Sequence, residues 1–322
     1  MDLAIIIVSY NTRDLLADCL QSAFASLERS GMAGEVCVVD NASADGSAGM
    51  VRERFPKATL IALDENLGFA AGNNLALRSM GLGQGAPTSP RSPLAHPFPR
   101  YVLFLNPDTR VLGDALGKMG SFMDTTPTAG AAGARLVHAD GSFQHSAFAF
   151  PGLAQIFFDF FPVHYLLDSR LNGRYPRSLY EEGQPFAVDH PLGAALMVRA
   201  ETLVQVGPFD ERYFMYCEEI DLCRRIKAAR WQIYCVPQAE IVHLVAQSTR
   251  QFRDQMYVAL WRSRFLMFEK HEGAAFCWTA RRLVRLGLWA KARRARTAHA
   301  RGEITADELA GRLAAYREVT AL

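Results

Sequence analysis

Residues 209–225 read Phe209-Asp-Glu-Arg-Tyr-Phe-Met-Tyr-Cys-Glu-Glu-Ile-Asp-Leu-Cys-Arg-Arg225, and place three acids, Glu218, Glu219 and Asp221, at the start of a helix-like run. Two adjacent carboxylates behind aromatics that exclude water suit a general base, because desolvation lifts a carboxyl's pKa towards neutrality. The same acids suit a helix's first turn, where the macrodipole and the free N–H groups favour negative charge. On this segment alone both readings stay open.

Three other clusters stand at the ends of apolar runs: Ser9-Tyr-Asn11, Asp40-Asn41 and Asn106-Pro-Asp-Thr109. Any one of them is an ordinary turn, since Asn, Asp and Ser bond readily to nearby backbone. Three in register, at the ends of the first, second and fourth expected strands, point to a ligand on the carboxyl edge of an open α/β sheet. No GxGxxG follows the first strand and no GxxxxGK[ST] occurs. Dinucleotide and P-loop binding are therefore unsupported, and a nicotinamide-dependent dehydrogenase is disfavoured. A diphosphate without a glycine cradle needs another counter-charge. Mg²⁺ or Mn²⁺ supplies it with few protein oxygen ligands, and Asp108 suits that task.

Elements of alternating type must hold these groups. Leu3–Ser9 is a β-branched run of the kind buried on both sheet faces, and a helical stripe follows from Leu15 to Leu27 with Asn11 as its expected N-cap. Strands are expected at 35–40, 59–63, 101–105, 193–199, 232–236 and 240–245, with helices ending near Phe55, over 68–80 and over 218–230. The alternation predicts an α/β fold with a mainly parallel central sheet flanked by helices. Residues 81–100, rich in Pro, Gly and Ser, read as a flexible surface insertion, and 151–187 carry no usable period. Beyond 250 the pattern is helical. The expected division is 1–250 for the α/β domain and 251–322 for a basic helical extension.

The chain has 322 residues, 50% hydrophobic and 21% charged, with net charge +2 and six scattered cysteines without metal spacing. Buried thiols in a reducing compartment follow. Neither a signal peptide nor a membrane-spanning segment is read, so a cytoplasmic protein is expected.

In order, Val8-Ser-Tyr-Asn11, Val38-Val-Asp-Asn-Ala-Ser-Ala-Asp-Gly-Ser47, Asn66-Leu-Gly-Phe-Ala-Ala-Gly-Asn-Asn74, Phe104-Leu-Asn-Pro-Asp-Thr109, Gly193-Ala-Ala-Leu-Met-Val-Arg199, Gly207-Pro-Phe-Asp-Glu211 and Tyr216-Cys-Glu-Glu-Ile-Asp-Leu222 resemble the family 2 inverting glycosyltransferases of GT-A fold, in particular the rhamnosyltransferase-like branch. The resemblance covers roughly residues 1–250. It implies that Ser9, Asp40 and Asn41 hold the nucleoside of a dTDP- or UDP-sugar and that Asn66, Gly68 and Asn73 line the donor pocket. Asn106 and Asp108 match an Asp-x-Asp-type metal motif with Asn in first place. Glu218 and Glu219 match a Glu-Asp pair whose second acid is the base, with Glu for Asp at 219, so either acid could serve and Glu219 is favoured. Asp221 is expected to cap or brace the helix. His243 reads as a hydrogen-bonded core residue or, by resemblance, as a contact to the metal or diphosphate.

The implied function is inverting transfer of a sugar, L-rhamnose foremost, to a glycan or polyprenyl-linked acceptor. The alternative is a non-catalytic sugar-nucleotide or glycan-binding partner subunit, suggested by the off-pattern Asn106 and Glu219. Residues 281–301 carry eight Arg and Lys and no acid. With Trp278 and Trp289, the segment 276–296 fits a helix on an anionic membrane surface at the inner face of the cell, or a solvated helix face. No nucleic-acid recognition motif accompanies the charge.

Overall fold

The computed structural model of the chain describes residues 1–82, 98–244 and 253–322. Most of the expected insertion, 83–97, lies outside the described residues, as does the end of the last expected strand. The elements are β1 (Leu3–Ser9), α1 (Arg13–Ser30), β2 (Gly34–Asp40), α2 (Ser47–Arg54), β3 (Thr59–Ala62), α3 (Phe69–Ser79), β4 (Tyr101–Leu105), β5 (Thr109–Val111), α4 (Ala115–Thr125), β6 (Ala129–Val137), β7 (Phe143–Gln144) and β8 (Ala147–Phe148). Then follow α5 (Leu153–Phe160), α6 (Arg177–Glu181), β9 (Phe186–Ala187), β10 (His190–Pro191), β11 (Ala195–Arg199), α7 (Ala200–Val206), α8 (Glu218–Ala228), β12 (Gln232–His243), α9 (Arg253–His271), α10 (Ala274–Ala300) and α11 (Ala306–Ala321).

One sheet has the order β3-β2-β1-β4-β11-β6-β12-β5, with β7 on β6 and β9 on β12. The first four strands are parallel, and β11 runs antiparallel to both β4 and β6. Every residue of β1 is buried, as its unbroken apolar run requires. Helix α1 buries Leu16, Cys19, Leu20, Ala23 and Leu27 on one stripe, and Gly31 ends it in the left-handed region at φ 67°. The two strands expected at 232–236 and 240–245 are one, β12, with a register shift between Val236 and Glu240 where Pro237 cannot donate to the ladder.

Asn11 does not cap α1. It takes a left-handed conformation at φ 52° and its Oδ1 accepts the Ala44 N–H at 2.8 Å. The first N–H of α1, from Arg13, is instead accepted by Asp45 Oδ2 at 2.8 Å.

The chain divides into two compact units. The first comprises Met1–Phe148, Arg177–Phe214 and Glu218–Ser248 and contains the whole sheet. The second comprises Ala149–Pro176, Met215–Cys217 and Thr249–Leu322. Within it Phe160 of α5 stacks on Trp261 of α9 with centroids 5.3 Å apart, and fits against α10 at Gly287, where a β-carbon would come within 2.1 Å of the ring. That packing explains why α5, in a stretch without readable period, groups with the C-terminal helices. A capping box, Thr305 with Glu308, starts α11.

Candidate active site

The carboxyl ends of β1 and β2 lie side by side, with Ser9 paired in register to Asp40. Ser9 Oγ bonds to Thr12 Oγ1 at 2.9 Å, and Asp40 Oδ2 accepts the Ser43 N–H at 3.2 Å. Asp40 Oδ1 is buried with no partner among the described residues. Asn41 is engaged at both ends of its amide: Oδ1 accepts from Leu67 N at 2.9 Å and Nδ2 donates to Gly68 O at 3.2 Å. Asn66 Oδ1 accepts from Gly68 N at 2.9 Å, closing a tight turn before α3. Gly68 has φ 85°, and a β-carbon there would fall 2.4 Å from Phe214 O. Asn73 donates to Phe69 O at 2.9 Å and leaves Oδ1 buried without a partner among the described residues. Leaving such an acceptor unmet costs about 1–3 kcal/mol, so Asp40 and Asn73 each call for a partner, water or ligand, beyond the described residues.

Antiparallel pairing of β11 with β4 brings the second cluster into place. Ala195 opposes Leu105, and the next residue, Asn106, donates its N–H to Ala194 O at 2.9 Å. Asn106 O in turn accepts from Thr109 Oγ1 at 2.7 Å. Pairing of β12 with β5 sets His243 opposite Thr109, and Leu244 N donates to Asp108 O at 2.9 Å. The two side chains consequently meet, with His243 Nε2 3.5 Å from Asp108 Oδ1, both buried. Gln144 Nε2 stands 3.1 Å from His243 Nδ1. With the amide in this orientation its N–H can donate to Nδ1 of the tautomer whose ring proton is on Nε2, facing Asp108.

A carboxylate oxygen and an unprotonated imidazole nitrogen are donors of a kind a divalent ion takes, and the described residues contain no group of three or more His, Cys, Asp or Glu placed to hold a metal. A half-turn of the Gln144 amide would present Oε1, buried and without a partner among the described residues, to Nδ1. The ring proton would move there and Nε2 would be free to ligate.

The backbone enters α8 through two consecutive non-glycine residues in the left-handed region, Tyr216 at φ 72° and Cys217 at φ 65°. Strain of this kind collects at functional sites. Glu218 is buried and its Oε2 has no partner among the described residues. Burial raises its carboxyl well above the ordinary range, and the neighbouring Glu219 raises it further. Burial also pushes half-buried Glu219 up to about 7, against the pull of its own backbone N–H and that of Ile220. Desolvation thus outweighs the helix dipole here. Gly193 lies against Glu219, where a β-carbon would come 3.2 Å from Cγ. Asp221 is different in kind. Fully buried, it accepts from Arg225 Nε at 2.9 Å, and that guanidinium also donates to the carbonyls of Val206, Gly207 and Pro208. It braces α8 onto the 206–208 turn.

The fold therefore gathers two groupings named from sequence. Ser9, Asp40, Asn41, Asn66, Gly68 and Asn73 share the β1–β2 edge. Asn106 connects to Glu219 through the Ala194–Gly193 backbone, and Asp108, two residues on, meets His243. Sequence reasoning missed Gln144, whose two-residue strand has no signal of its own. It also missed Asn74, which clasps Phe209 by donating to its carbonyl at 2.8 Å and accepting its N–H at 3.0 Å. The quoted 66–74 motif ends on Asn74, and that was its only visible sign.

Comparison with known proteins bears on this geometry. The sequence profile described as "Glycosyl transferase family 2" matches residues 4–168. The chain is 28% identical over 291 residues, 87% of its own length and 89% of the other's, to the N-acetylglucosaminyl-diphospho-decaprenol L-rhamnosyltransferase of Mycobacterium tuberculosis. It is 30% identical over 153 residues, 47% of this chain and 55% of the other, to rhamnosyltransferase WbbL of Escherichia coli. In fold it is similar to the mannosyltransferase PcManGT of Pyrobaculum calidifontis in complex with GDP-Man and Mn²⁺ (TM-score 0.54, 19% identity, 99% of this chain and 83% of that one). It is also similar to GalNAc-T7 with UDP, GalNAc and Mn²⁺ (TM-score 0.55, 11% identity), of which it spans 43% while 76% of this chain is covered. The shared architecture is the expected GT-A α/β fold.

Proposed function

The chain belongs to glycosyl transferase family 2, and from that premise we propose that it transfers L-rhamnose from dTDP-rhamnose, with inversion, to a lipid-linked glycan. The observation that carries the reading is the Glu218–Glu219 pair, with Glu219 held near 7 beside the backbone that anchors the Asn106–Asp108 loop. The sugar and the acceptor class rest on the name of the mycobacterial relative.

In this mechanism Ser9 and Asp40 bind the nucleoside, with Asp40 Oδ1 accepting the N3–H of thymine. Asn41 holds the Asn66–Gly68 turn that walls the donor pocket, and Asn73 and Asn106 offer polar groups along it. Asp108 and His243 would hold Mg²⁺ or Mn²⁺, which when bound offsets charge on the leaving diphosphate. Glu219 takes the proton of an acceptor hydroxyl while that oxygen bonds to the anomeric carbon and the bond to the diphosphate breaks. Glu218, kept protonated by burial, adds no second negative charge, which lets Glu219 ionise near neutrality. A lipid-linked acceptor would place the enzyme at the inner face of the cell membrane.

The test is turnover of dTDP-rhamnose, UDP-galactofuranose, UDP-hexoses and UDP-N-acetylhexosamines, each with and without Mn²⁺, on a short-chain polyprenyl-diphospho-N-acetylglucosamine. Metal-dependent transfer from dTDP-rhamnose with inverted anomeric configuration is expected. Preference for another donor would move the sugar assignment, and no turnover with any donor would sink the reading.

A further inference from the structure

Six of the nine large apolar side chains exposed among the described residues, Phe157, Tyr165, Leu171, Trp278, Leu286 and Trp289, belong to the second unit. Three lie on α10, whose 27 residues include no acid. At 3.6 residues per turn, Trp278, Arg282, Arg285, Leu286, Trp289 and Arg293 fall within about 100° of arc. All six are exposed, Trp278 by 61% and Trp289 by 57%. The opposite side buries Ala280, Val284, Gly287, Leu288 and Ala295 within the unit. The basic residues of the helix are divided in the same way. Arg281 is engaged by Glu269 and the Leu322 carbonyl, and Arg294 donates to Phe160 O at 3.4 Å. On the outer face the arginines turn to the tryptophans: Arg282 lies 5.0 Å from the Trp278 ring centre and Arg293 4.9 Å from that of Trp289.

We infer that this face of α10 is a docking surface for an anionic phospholipid bilayer, on which the helix lies flat. The inference deepens the reading above and rests on it for the choice of a bilayer, while the face itself stands on the geometry. Indole rings with a polar edge settle at the headgroup level, and the two here are about 16 Å apart along the axis, so both enter only if the helix is parallel to the surface. Arginine guanidiniums beside them meet phosphate headgroups without leaving water. A second copy of the same face would set arginine against arginine with no acid to separate them. Single-stranded nucleic acid would need bare aromatic faces, and a guanidinium already covers one face of each indole.

The experiment is co-sedimentation of the full chain with phosphatidylcholine vesicles containing or lacking phosphatidylglycerol, at low and high salt. Binding only to the anionic vesicles, weakened by salt, is expected, together with quenching of tryptophan emission by brominated lipid. Each arginine at an anionic surface contributes about fivefold to partitioning, so replacing Arg282, Arg285 and Arg293 with Gln should reduce it about 100-fold. The charge-matched replacement of exposed Arg52, Arg54 and Lys57 with Gln in the first unit should leave it within about twofold. Replacing Trp278 and Trp289 with Ser should abolish the lipid quenching. These side chains are exposed, so all variants should fold and should transfer sugar to a water-soluble acceptor as the parent does. Equal losses in the two charge variants, quenching that survives loss of both tryptophans, self-association through this face, or no binding by the parent would each overturn the inference, while donor turnover would still report separately on the sugar-transfer reading.

Discussion

Asp108 and His243 meet with Oδ1 and Nε2 3.5 Å apart because β5 and β12 pair antiparallel with His243 opposite Thr109. Two residues 135 positions apart are thus brought together by a three-residue strand. Asp108→Ala should abolish Mn²⁺-dependent binding of dTDP, read by calorimetry, and His243→Ala should weaken it. Gln144→Leu leaves both ligands in place but removes the group that orients the ring, so Mn²⁺ affinity should fall by about 10–100-fold. Unchanged metal affinity in Asp108→Ala would remove the ion from this site.

The base must be ionised to act. With Glu219 near 7, kcat/KM should rise with pH and reach half its plateau near that value, since the protonated form is the inactive one. An unperturbed glutamate would give half-activity near 4.5. A profile flat from pH 5.5 to 8.5 would rule out Glu219 as the titrating base.

The same burial makes the pair a stability liability of definite sign. A carboxyl whose folded pKa lies above its unfolded value binds more protons when folded, so stability falls as pH rises from about 4.5 towards 7. Glu219→Gln should therefore stabilise the protein more at pH 8 than at pH 5, by about 2–3 kcal/mol in the difference. Glu218→Gln should move the same way. Thermal or urea unfolding at the two pH values decides it, and a pH-independent effect would contradict the desolvation account.

Gly68 is fixed by two independent constraints, its φ of 85° and the Phe214 carbonyl 2.4 Å from a would-be β-carbon. Gly68→Ala should shift the Asn66–Phe69 turn, raise KM for donor, and destabilise the fold by about 2 kcal/mol or more. Wild-type donor affinity in that variant would mean that the turn does not wall the donor pocket.

The strand-end loops were legible because each polar group follows an apolar run that can only be a buried strand. Asn41 was legible as a polar group at a strand end but its bonds were not, since Leu67 and Gly68, its partners, lie a helix away in sequence. Asn11 misled for a related reason. The first N–H of α1 is met from 32 residues on by Asp45, and no local pattern encodes a tertiary cap. Gln144 was invisible because a two-residue strand has no periodicity. The grouping of 149–176 with the C-terminal helices depends on Phe160 fitting a notch at Gly287, a contact that neither segment announces alone.

Glu219, as the proposed base of a sugar transfer, is tested by single-turnover transfer from dTDP-rhamnose to a polyprenyl-diphospho-N-acetylglucosamine by the parent, Glu219→Gln and Glu218→Gln, with dTDP affinity measured in parallel. A loss of about 10²–10⁴-fold is expected for Glu219→Gln at unchanged dTDP affinity, and a smaller loss for Glu218→Gln. Parent-like turnover in Glu219→Gln would contradict that role.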